Sequence, residues 1–298
     1  MKQASQIVKL RDDGVESLRV LLMFGICLLH SISQCGHYNR WIAQPLLACV
    51  DAFVFISGYY GIRFKPSKLL RLYVVGAVCA FISAVLPALA GLAEYPTLKE
   101  CWKTYISYSW FLHAYAVMML LSPLVDIKKG FLGLWTVLFL VFCWAGLCAV
   151  PYVGSIFPMS SGITAYSGIT LFGIYVAARL FRFYSLDKRF DKRKTCVVLI
   201  VLYAMAVRGW AEYSTPVALG LAAIMFTYGR KLHLGKFGQL IAPSTFAIYM
   251  LHSNRHFFVI MRYIEDLLLS MGVPLILAYL AVASITFFGC TLIDGRSS

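Results

Sequence analysis

The residues best suited to chemistry in this sequence are Arg19 and His30, which lie in the first long hydrophobic stretch, residues 15–34. They are eleven positions apart, and eleven steps of about 100° along an α-helix return to within about 20° of the starting direction. Both side chains therefore lie on one helix face, about 16 Å apart along its axis. Ionisable groups inside a membrane span are costly and usually face a cavity or a partner. A fixed cation and a titratable imidazole on one face predict a polar site within the membrane.

Each of the two residues has a simpler interpretation when it is taken alone. Arg19 could be an anchor that reaches the cytoplasmic surface, and His30 could be hydrogen-bonded to a neighbouring helix. Their common face weakens both interpretations, because neither explains why the two residues are spaced to lie on the same side of the helix. A neutral imidazole near pH 7 suits proton abstraction, so we predict that His30 is a general base.

The element that positions these residues is predicted from composition to be a transmembrane helix in a polytopic protein. Of the 298 residues, 60% are hydrophobic and 13% are charged, whereas a soluble domain is close to half apolar and a quarter charged. Apolar runs long enough to span a bilayer predict about ten transmembrane helices. They cover residues 15–34, 42–62, 69–92, 105–125, 131–150, 163–184, 195–211, 215–230, 239–257 and 272–293. We predict an all-α fold in which residues 1–298 form a single integral-membrane domain.

The distribution of Lys and Arg predicts the orientation of the chain. With the N-terminus in the cytoplasm, 21 of the 27 basic residues lie in or beside inner segments, as the positive-inside rule requires. The outer segments then hold the other six, Arg40, Lys99, Lys103, Arg208, Arg255 and Arg262. An even number of spans places both termini in the cytoplasm. Topology thus accounts for the net charge of +14, and we expect membrane lipid, not nucleic acid, around a multi-pass protein of a bacterial-type inner (plasma) membrane.

Basic residues at the predicted inner surface suit a phosphate-rich donor. Arg and Lys bind phosphate groups well. Arg19, Lys68 and Arg71 all lie on the predicted cytoplasmic side.

Polar residues in other spans have two interpretations each. Asp51 could orient the His30 imidazole, as a carboxylate does in a triad, or it could be solvated at the outer interface. Ser57 could line a channel, or Ser57 and Gly58 could form a close helix contact. Ser57 is not in a GxSxG setting, so we do not expect a covalent nucleophile. Glu212 is a second candidate carboxylate near the outer end of the seventh span.

Aromatic residues and a second histidine complete the candidate channel. Trp110, Tyr115 and Tyr249 could stack on a sugar, although aromatic belts at membrane interfaces explain such residues equally well. His252 could line an outer vestibule, or it could belong to the cap of a broken helix. The sequence has no CxxC motif and no Cys/His spacing typical of a metal site, so we expect no metal and no permanently bound cofactor.

Five segments, in their order along the chain, resemble the integral-membrane acyltransferase-3 family over nearly the whole sequence. They are the Arg19–His30 pair in LRVLLMFGICLLHS, DAFVFISGYYGI at 51–62, the basic pair Lys68 and Arg71, SWFLHAYAVMMLLSPLVD at 109–126, and STFAIYMLHSN at 244–254. Lys68 departs from the family pattern, which often has Arg there. The resemblance implies transfer of an acyl group, in the first place acetyl from acetyl-CoA, to a hydroxyl of an envelope or exported glycan or a lipid-linked sugar. The separation of Arg19 and His30 is comparable to the reach of a pantetheine arm, and the resemblance implies that coenzyme A stays anchored inside while its acyl group reaches His30.

The predicted site therefore has three parts. The catalytic set is His30, Arg19 and Asp51; the donor-binding pair is Lys68 and Arg71; the substrate channel is Ser57, Trp110, Tyr115, Tyr249 and His252. The alternative function is a transporter or exporter of a sugar-linked or amphipathic molecule that uses the same charges. The sequence shows no internal repeat of the kind found in many transporters, and the motifs gather at one inner mouth, so we favour the enzyme.

Overall fold

The computed structural model describes residues 12–34, 36–125, 132–148, 168–210 and 215–295, and these residues form helices and turns with no β-strand. The helices are α1 (Asp13–Gln34), α2 (Arg40–Leu46), α3 (Ala48–Tyr60), α4 (Pro66–Leu89), α5 (Leu98–Tyr108), α6 (Trp110–Leu121), α7 (Leu132–Cys148), α8 (Gly168–Phe183), α9 (Lys192–Met205), α10 (Pro216–Gly229), α11 (Lys236–Ile241), α12 (Thr245–His252), α13 (Phe257–Ser270) and α14 (Leu275–Asp294). Short 3₁₀ turns lie at Ser122–Leu124, Leu186–Lys188 and Ala242–Ser244, and a π-helical turn lies at Ala206–Trp210. The predicted all-α class is confirmed.

Among the described residues, four helical segments are long and apolar enough to cross a membrane. They are Asp13–Gln34, Arg40–Tyr60, Pro66–Leu89 and Leu275–Asp294, and α6 and α10 are shorter apolar helices. The protein is therefore a membrane protein, as predicted. Three statements stay predictions: that the chain has about ten spans, that it forms a single domain, and that both termini lie in the cytoplasm.

The predicted fourth span, residues 105–125, is divided between two helices. Thr97 and Glu100 form a capping box that begins α5, with the Glu100 carboxylate accepting the Thr97 N–H at 2.8 Å. The backbone leaves the helix at Ser109, with φ −87° and ψ 34°, and α6 starts at the next residue. A hydropathy average does not detect a break of a single residue, which is why the sequence predicts one span here.

The predicted ninth span, residues 239–257, is a broken helix followed by a separate one. Helix α11, a 3₁₀ turn and α12 run to His252, and the chain then turns before α13. Asn254 caps this turn, because its Oδ1 accepts the His256 N–H at 3.0 Å and its carbonyl accepts the Phe257 N–H at 3.0 Å. Helix α13 has 14 residues, about 21 Å of rise, which is shorter than a bilayer core of about 30 Å.

Helix α3 is central, since it packs against both α8 and α10, while α1 packs against α14. Gly58 lets α3 and α8 approach closely: a Cβ atom there would lie 2.6 Å from the Ala178 Cβ and 2.7 Å from the Tyr175 carbonyl oxygen. Small residues serve this purpose between membrane helices. The alternative of a close helix contact is therefore correct for Gly58, and the contact fixes the backbone that carries Ser57.

A polar network joins three helix ends near the start of α1. Asp187 Oδ2 lies 2.6 Å from Arg230 Nη2 and accepts the Tyr59 hydroxyl at 3.1 Å. Arg182 Nη1 donates to the Tyr59 carbonyl at 2.9 Å. Burial alone raises the pKa of the Asp187 carboxyl, but the hydrogen bonds from Arg230 and Tyr59 and the charge of Arg230 outweigh it, so the pKa lies below its usual value.

The opposite end of the molecule gathers residues that the charge rule assigns to the outer side. Arg262 Nε donates to the Gln34 carbonyl at 2.5 Å, at the end of α1, and the Tyr203 hydroxyl donates to the Trp41 carbonyl at 3.0 Å. Arg262 and Gln34, both predicted to lie at the outer side of the membrane, thus meet at one end of the protein. Which end faces the cytoplasm stays a prediction.

Candidate active site

A cavity of about 780 Å³ lies at the end of the molecule where α1 and α4 begin and α3 ends. Five of the predicted site residues line it: Arg19 from α1, Ser57 from α3, Lys68 and Arg71 from α4, and Tyr115 from α6. They come from four helices that are distant in sequence. The structure therefore brings the predicted donor cations together with two of the predicted channel residues.

The start of α4 explains how Lys68 and Arg71 reach this cavity. Pro66 occupies the first turn of the helix, where its fixed φ suits a helix start and its missing N–H costs nothing. Lys68 and Arg71 then lie three residues apart on one face in the first two turns of a 24-residue helix. The helix N-terminus adds partial positive charge to theirs, and the combination suits an anionic ligand.

A carboxylate that the sequence analysis missed is paired with Arg19. Glu16 Oε1 lies 3.0 Å from Arg19 Nη1, and the Glu16 side chain is 5% exposed whereas that of Arg19 is 35% exposed. Glu16 Oε2 is buried with no hydrogen-bond partner among the described residues. The spacing of three residues between opposite charges was the available signal. Arg63 also lines the cavity and was counted only as an inner basic residue.

Ser57 and Tyr115 form a polar contact across the cavity wall. Their hydroxyl oxygens are 3.1 Å apart, and either can be the donor. Because Gly58 packs against α8 while Ser57 lines the cavity, both interpretations of this Ser-Gly pair apply, one to each residue. Trp110, another predicted channel residue, does not line the cavity; it is half-buried and lies edge-on to Phe111 at 5.7 Å.

His30 lies further along α1, beyond the cavity, and packs against His252. The centroids of the two imidazole rings are 5.0 Å apart, and the Phe258 ring lies 5.8 Å from His30. His30 Nδ1 is buried and has no hydrogen-bond partner among the described residues. The predicted separation of cation and imidazole along α1 is therefore present, and the contact with His252 is an addition that the sequence analysis did not predict.

The protonation of His252 at one nitrogen follows from its hydrogen bond. Its Nδ1 lies 2.6 Å from the Ile248 carbonyl oxygen, and a carbonyl can only accept, so Nδ1 carries the proton. In the neutral ring Nε2 then carries the lone pair, and this atom is buried with no hydrogen-bond partner among the described residues. His252 is fully buried, so it does not line an open vestibule.

A row of aromatic contacts runs from the cavity to His30. The ring centroids of Tyr115 and Phe111 are 5.7 Å apart, and those of Phe111 and Tyr249 are 4.9 Å apart. The Tyr249 and His252 rings are 6.0 Å apart, and His252 contacts His30 as described. Tyr249 lies in the wall between the basic cavity and the pair of His30 and His252. Because it is only 4% exposed, neither face of its ring is open for stacking on a sugar.

Of the two candidate carboxylates, Asp51 and Glu212, the structure describes only Asp51. Asp51 is fully buried in α3, so the interpretation that it is solvated at the outer interface is wrong. Its role in orienting His30 stays a prediction. Glu212 lies outside the described residues. Within the described ranges, no group of three or more His, Cys, Asp or Glu side chains could hold a metal ion.

A family model described as an acyltransferase domain, of the acyltransferase-3 type, matches residues 12–295. The match includes every predicted site residue. No curated protein and no solved structure matches the chain significantly.

Proposed function

Because the chain belongs to the acyltransferase-3 family and is a membrane acyltransferase, we propose that it moves an acyl group, in the first place acetyl, from acyl-CoA to a hydroxyl of a cell-envelope or exported glycan or its lipid-linked precursor. The observation that carries the proposal is the arrangement along α1. A cavity lined by Arg19, Lys68 and Arg71 lies at one end of the helix, and His30 lies further along it.

The cavity suits the nucleotide part of coenzyme A. Its volume of about 780 Å³ is within the range of ligand pockets, roughly 300–1,000 Å³. Four cations line it, Arg19, Arg63, Lys68 and Arg71, against the two carboxylates of Asp12 and Glu16. Guanidinium and ammonium groups form charge-assisted hydrogen bonds with phosphate oxygens, so the excess positive charge favours this donor over a neutral one.

The proposed reaction uses His30 as the base. Its imidazole takes the proton of the acceptor hydroxyl as the oxygen attacks the carbonyl carbon of the thioester. The new C–O bond forms, the C–S bond breaks, and the thiolate of coenzyme A leaves and regains the proton from the imidazolium. General-base catalysis typically contributes about 10²–10⁴-fold. We assign His252 a positioning role, since its ring packs against His30 and its own tautomer is fixed by Ile248.

The arrangement also suggests the side from which each substrate arrives. The cavity lies at the end that holds the predicted inner cations, so we propose that acyl-CoA enters from the cytoplasm of a bacterial-type plasma membrane. The acceptor hydroxyl then reaches His30 from the outer face or from the middle of the membrane. No permanently bound cofactor takes part in this scheme.

The test is acceptor-dependent release of coenzyme A by the purified protein. The protein in proteoliposomes is given acetyl-CoA with and without envelope glycan, and both free thiol and acylated glycan are measured. We expect equal amounts of thiol and ester. A protein that moves a glycan across the vesicle membrane and releases no thiol would be the transporter, and the proposal would be wrong.

A further inference from the structure

We propose that an apolar cavity between α3, α7, α8 and α10 binds an acyl chain of an anionic membrane phospholipid, whose phosphate is held by Lys188 and Arg189. This second site lies on the other side of α3 from the basic cavity, since Phe55 lines it whereas the next residue, Ile56, lines the basic cavity. The proposal does not depend on the donor, the acceptor or the base of the proposed reaction.

The cavity has the shape and polarity of a site for a hydrocarbon chain. Its volume is about 490 Å³, and of the thirteen described residues that line it only Thr136 and Tyr184 have polar side-chain atoms. Pro216 and Ala223 lie seven residues apart on α10 and both line the cavity, so it extends for about 10 Å along that helix. A buried water molecule needs two to four polar partners, so this space favours an elongated apolar occupant.

The cavity is accessible from the side of the helix bundle. Leu140 lines it and is 60% exposed, and Leu138 and Val141 beside it on α7 are exposed as well. In a membrane such side chains contact lipid tails, which are as apolar as leucine. An acyl chain therefore enters the cavity from the bilayer without leaving an apolar environment.

Two cations lie at the end of the cavity where α8 ends. Tyr184 and Leu186 line this end, and Ser185 between them has a left-handed φ of 50°, which is uncommon for a residue other than glycine. After this turn Leu186 is half-buried, whereas Lys188 and Arg189 are exposed. The Arg189 N–H donates to the Leu186 carbonyl at 2.9 Å, so both cations lie within one turn of the cavity wall.

These cations are free to bind an anion. Asp187 is already paired with Arg230 at 2.6 Å, and within the described ranges Lys188 and Arg189 make no ion pair. Ammonium and guanidinium groups form charge-assisted hydrogen bonds with phosphate oxygens. Basic segments beside the membrane attract the anionic lipids of the cytoplasmic leaflet, and the charge rule predicts that this loop is cytoplasmic. The site therefore favours an anionic headgroup over a zwitterionic one.

A lipid-linked sugar acceptor fits this site less well than a phospholipid does. The headgroup lies at the same end of the molecule as the basic cavity, because Asp187 accepts the Tyr59 hydroxyl and the next residue, Tyr60, lines that cavity. His30 lies about 16 Å further along α1 than Arg19. A sugar attached at this headgroup is therefore remote from the proposed base, and we infer that the lipid supports the fold and is not a substrate.

The experiment measures which lipids the full-length protein retains. It is placed in nanodiscs with equal amounts of phosphatidylglycerol and phosphatidylcholine of identical acyl chains and a trace of polyprenyl phosphate, and the lipids bound after transfer to detergent are counted by native mass spectrometry. One variant combines Lys188→Gln with Arg189→Gln. Its matched control combines Lys65→Gln with Lys236→Gln, which also removes two exposed cations from the predicted inner side.

A second pair of variants tests the cavity itself. Ala223→Phe fills part of the cavity with a ring, and its control, Val78→Phe, adds a ring at a position of α4 that is 53% exposed and outside the cavity. We expect the filled variant to lose the retained lipid whatever its headgroup, and the control to keep it. Loss of the lipid from the control as well, or its retention by a folded Ala223→Phe protein, would overturn the assignment of the chain to this cavity.

The headgroup is decided by the ratio of bound phosphatidylglycerol to bound phosphatidylcholine. We expect wild type and the lysine control to retain phosphatidylglycerol in preference. The variant without Lys188 and Arg189 should lower the ratio about tenfold or more, since each cation near a membrane surface contributes about fivefold in affinity. Because both residues are exposed, this variant decides even if Ala223→Phe does not fold. An unchanged ratio, or retention of polyprenyl phosphate in place of phosphatidylglycerol, would overturn the proposal and leave the proposed function intact.

Discussion

The imidazole of His252 packs against that of His30 with ring centroids 5.0 Å apart, although one residue lies near the start of the chain and the other near its end. A buried nitrogen of each ring has no hydrogen-bond partner among the described residues. Buried polar atoms are usually hydrogen-bonded, and exceptions concentrate where a ligand or a reaction uses them. The pair is therefore the part of the protein in which we expect catalysis to be most sensitive to substitution.

Replacing His30 is expected to remove acyl transfer without affecting folding. His30→Gln keeps a polar side chain but cannot act as a base, so activity should fall to roughly one per cent or less. The measurement is the rate of glycan acylation in proteoliposomes, with size-exclusion chromatography as the check on folding. His113→Ala is the matched control, since that imidazole lies 3.4 Å from the Tyr73 hydroxyl, outside the cavity. Near-normal turnover in a folded His30→Gln protein would contradict its role as base.

Replacing His252 is expected to slow the chemical step and spare binding. His252→Phe keeps a planar aromatic ring, although a larger one, and removes both nitrogens, so the ring contact with His30 is retained while the polar groups beside it are lost. We expect kcat to fall about ten- to a hundredfold, the scale on which misplaced catalytic groups act, with KM unchanged for both substrates. If His252 had a purely structural role, its replacement would lower the Tm and the fraction of folded protein, but each folded molecule would keep an unchanged kcat. Steady-state kinetics together with thermal unfolding would reveal this outcome.

Lys68 and Arg71 are expected to affect the donor and not the acceptor. Both side chains are exposed in the cavity wall, where solvent screening limits each charge to roughly 1 kcal/mol. Lys68→Ala or Arg71→Ala should therefore raise the apparent KM for acyl-CoA about fivefold at low salt, and less at high salt. Lys68→Arg should retain affinity. Lys65→Ala is the control, since Lys65 is also exposed at the start of α4 but does not line the cavity. A change in the acceptor KM instead would reverse the assignment.

Asp187 is expected to contribute fully to the stability of the fold only above its ordinary pKa, and progressively less below it. Because the folded-state pKa lies below the usual value, the folded protein keeps this carboxylate charged at a pH where the unfolded chain binds a proton. Its contribution is complete above an unfolded pKa of about 4 and is lost as the pH falls through the lower folded pKa. The difference in Tm between wild type and Asp187→Asn should thus shrink below about pH 4. Asp266→Asn, on the exposed face of α13 and outside the network of Asp187, is the matched control for loss of a carboxylate.

The sidedness of the reaction can be measured in sealed vesicles of known orientation. His30 lies about 16 Å along the helix from Arg19, roughly half of a bilayer core of about 30 Å. We expect product when acyl-CoA is supplied at the face with the α4 start and acceptor at the other face. Product formed only with both substrates at the acyl-CoA face would show that the proposed route through the membrane is wrong.

The sequence predicted those parts of the site that follow from the geometry of a single helix or from the distribution of Lys and Arg across the membrane. The register of Arg19 and His30 follows from helical geometry, and the gathering of Lys68 and Arg71 with Arg19 follows from their assignment to one side of the membrane. The sequence left two interpretations of Ser57 and Gly58 open, a residue that lines the channel and a close helix contact. In the structure Gly58 makes the helix contact and Ser57 lines the cavity.

The remaining parts depend on contacts between distant segments. Phe111 is an aromatic residue in an apolar stretch, and such residues are common in any membrane span, so its type carried no signal. The contact of His252 with His30 depends on the break after α12, and hydropathy averages merge short breaks such as those at Ser109 and Ser253 into one span. Pairwise packing of this kind is fixed by the tertiary structure and not by local pattern.

The ion pair between Glu16 and Arg19 gives the basic cavity a built-in competitor for its ligand. In the proposed mechanism a donor phosphate must displace a carboxylate that is tethered three residues away and is therefore always present at high effective concentration. The same carboxylate returns to Arg19 when coenzyme A departs. Competition by this tethered carboxylate weakens the binding of both acyl-CoA and coenzyme A. It therefore favours rapid release of coenzyme A after transfer over tight binding of the donor.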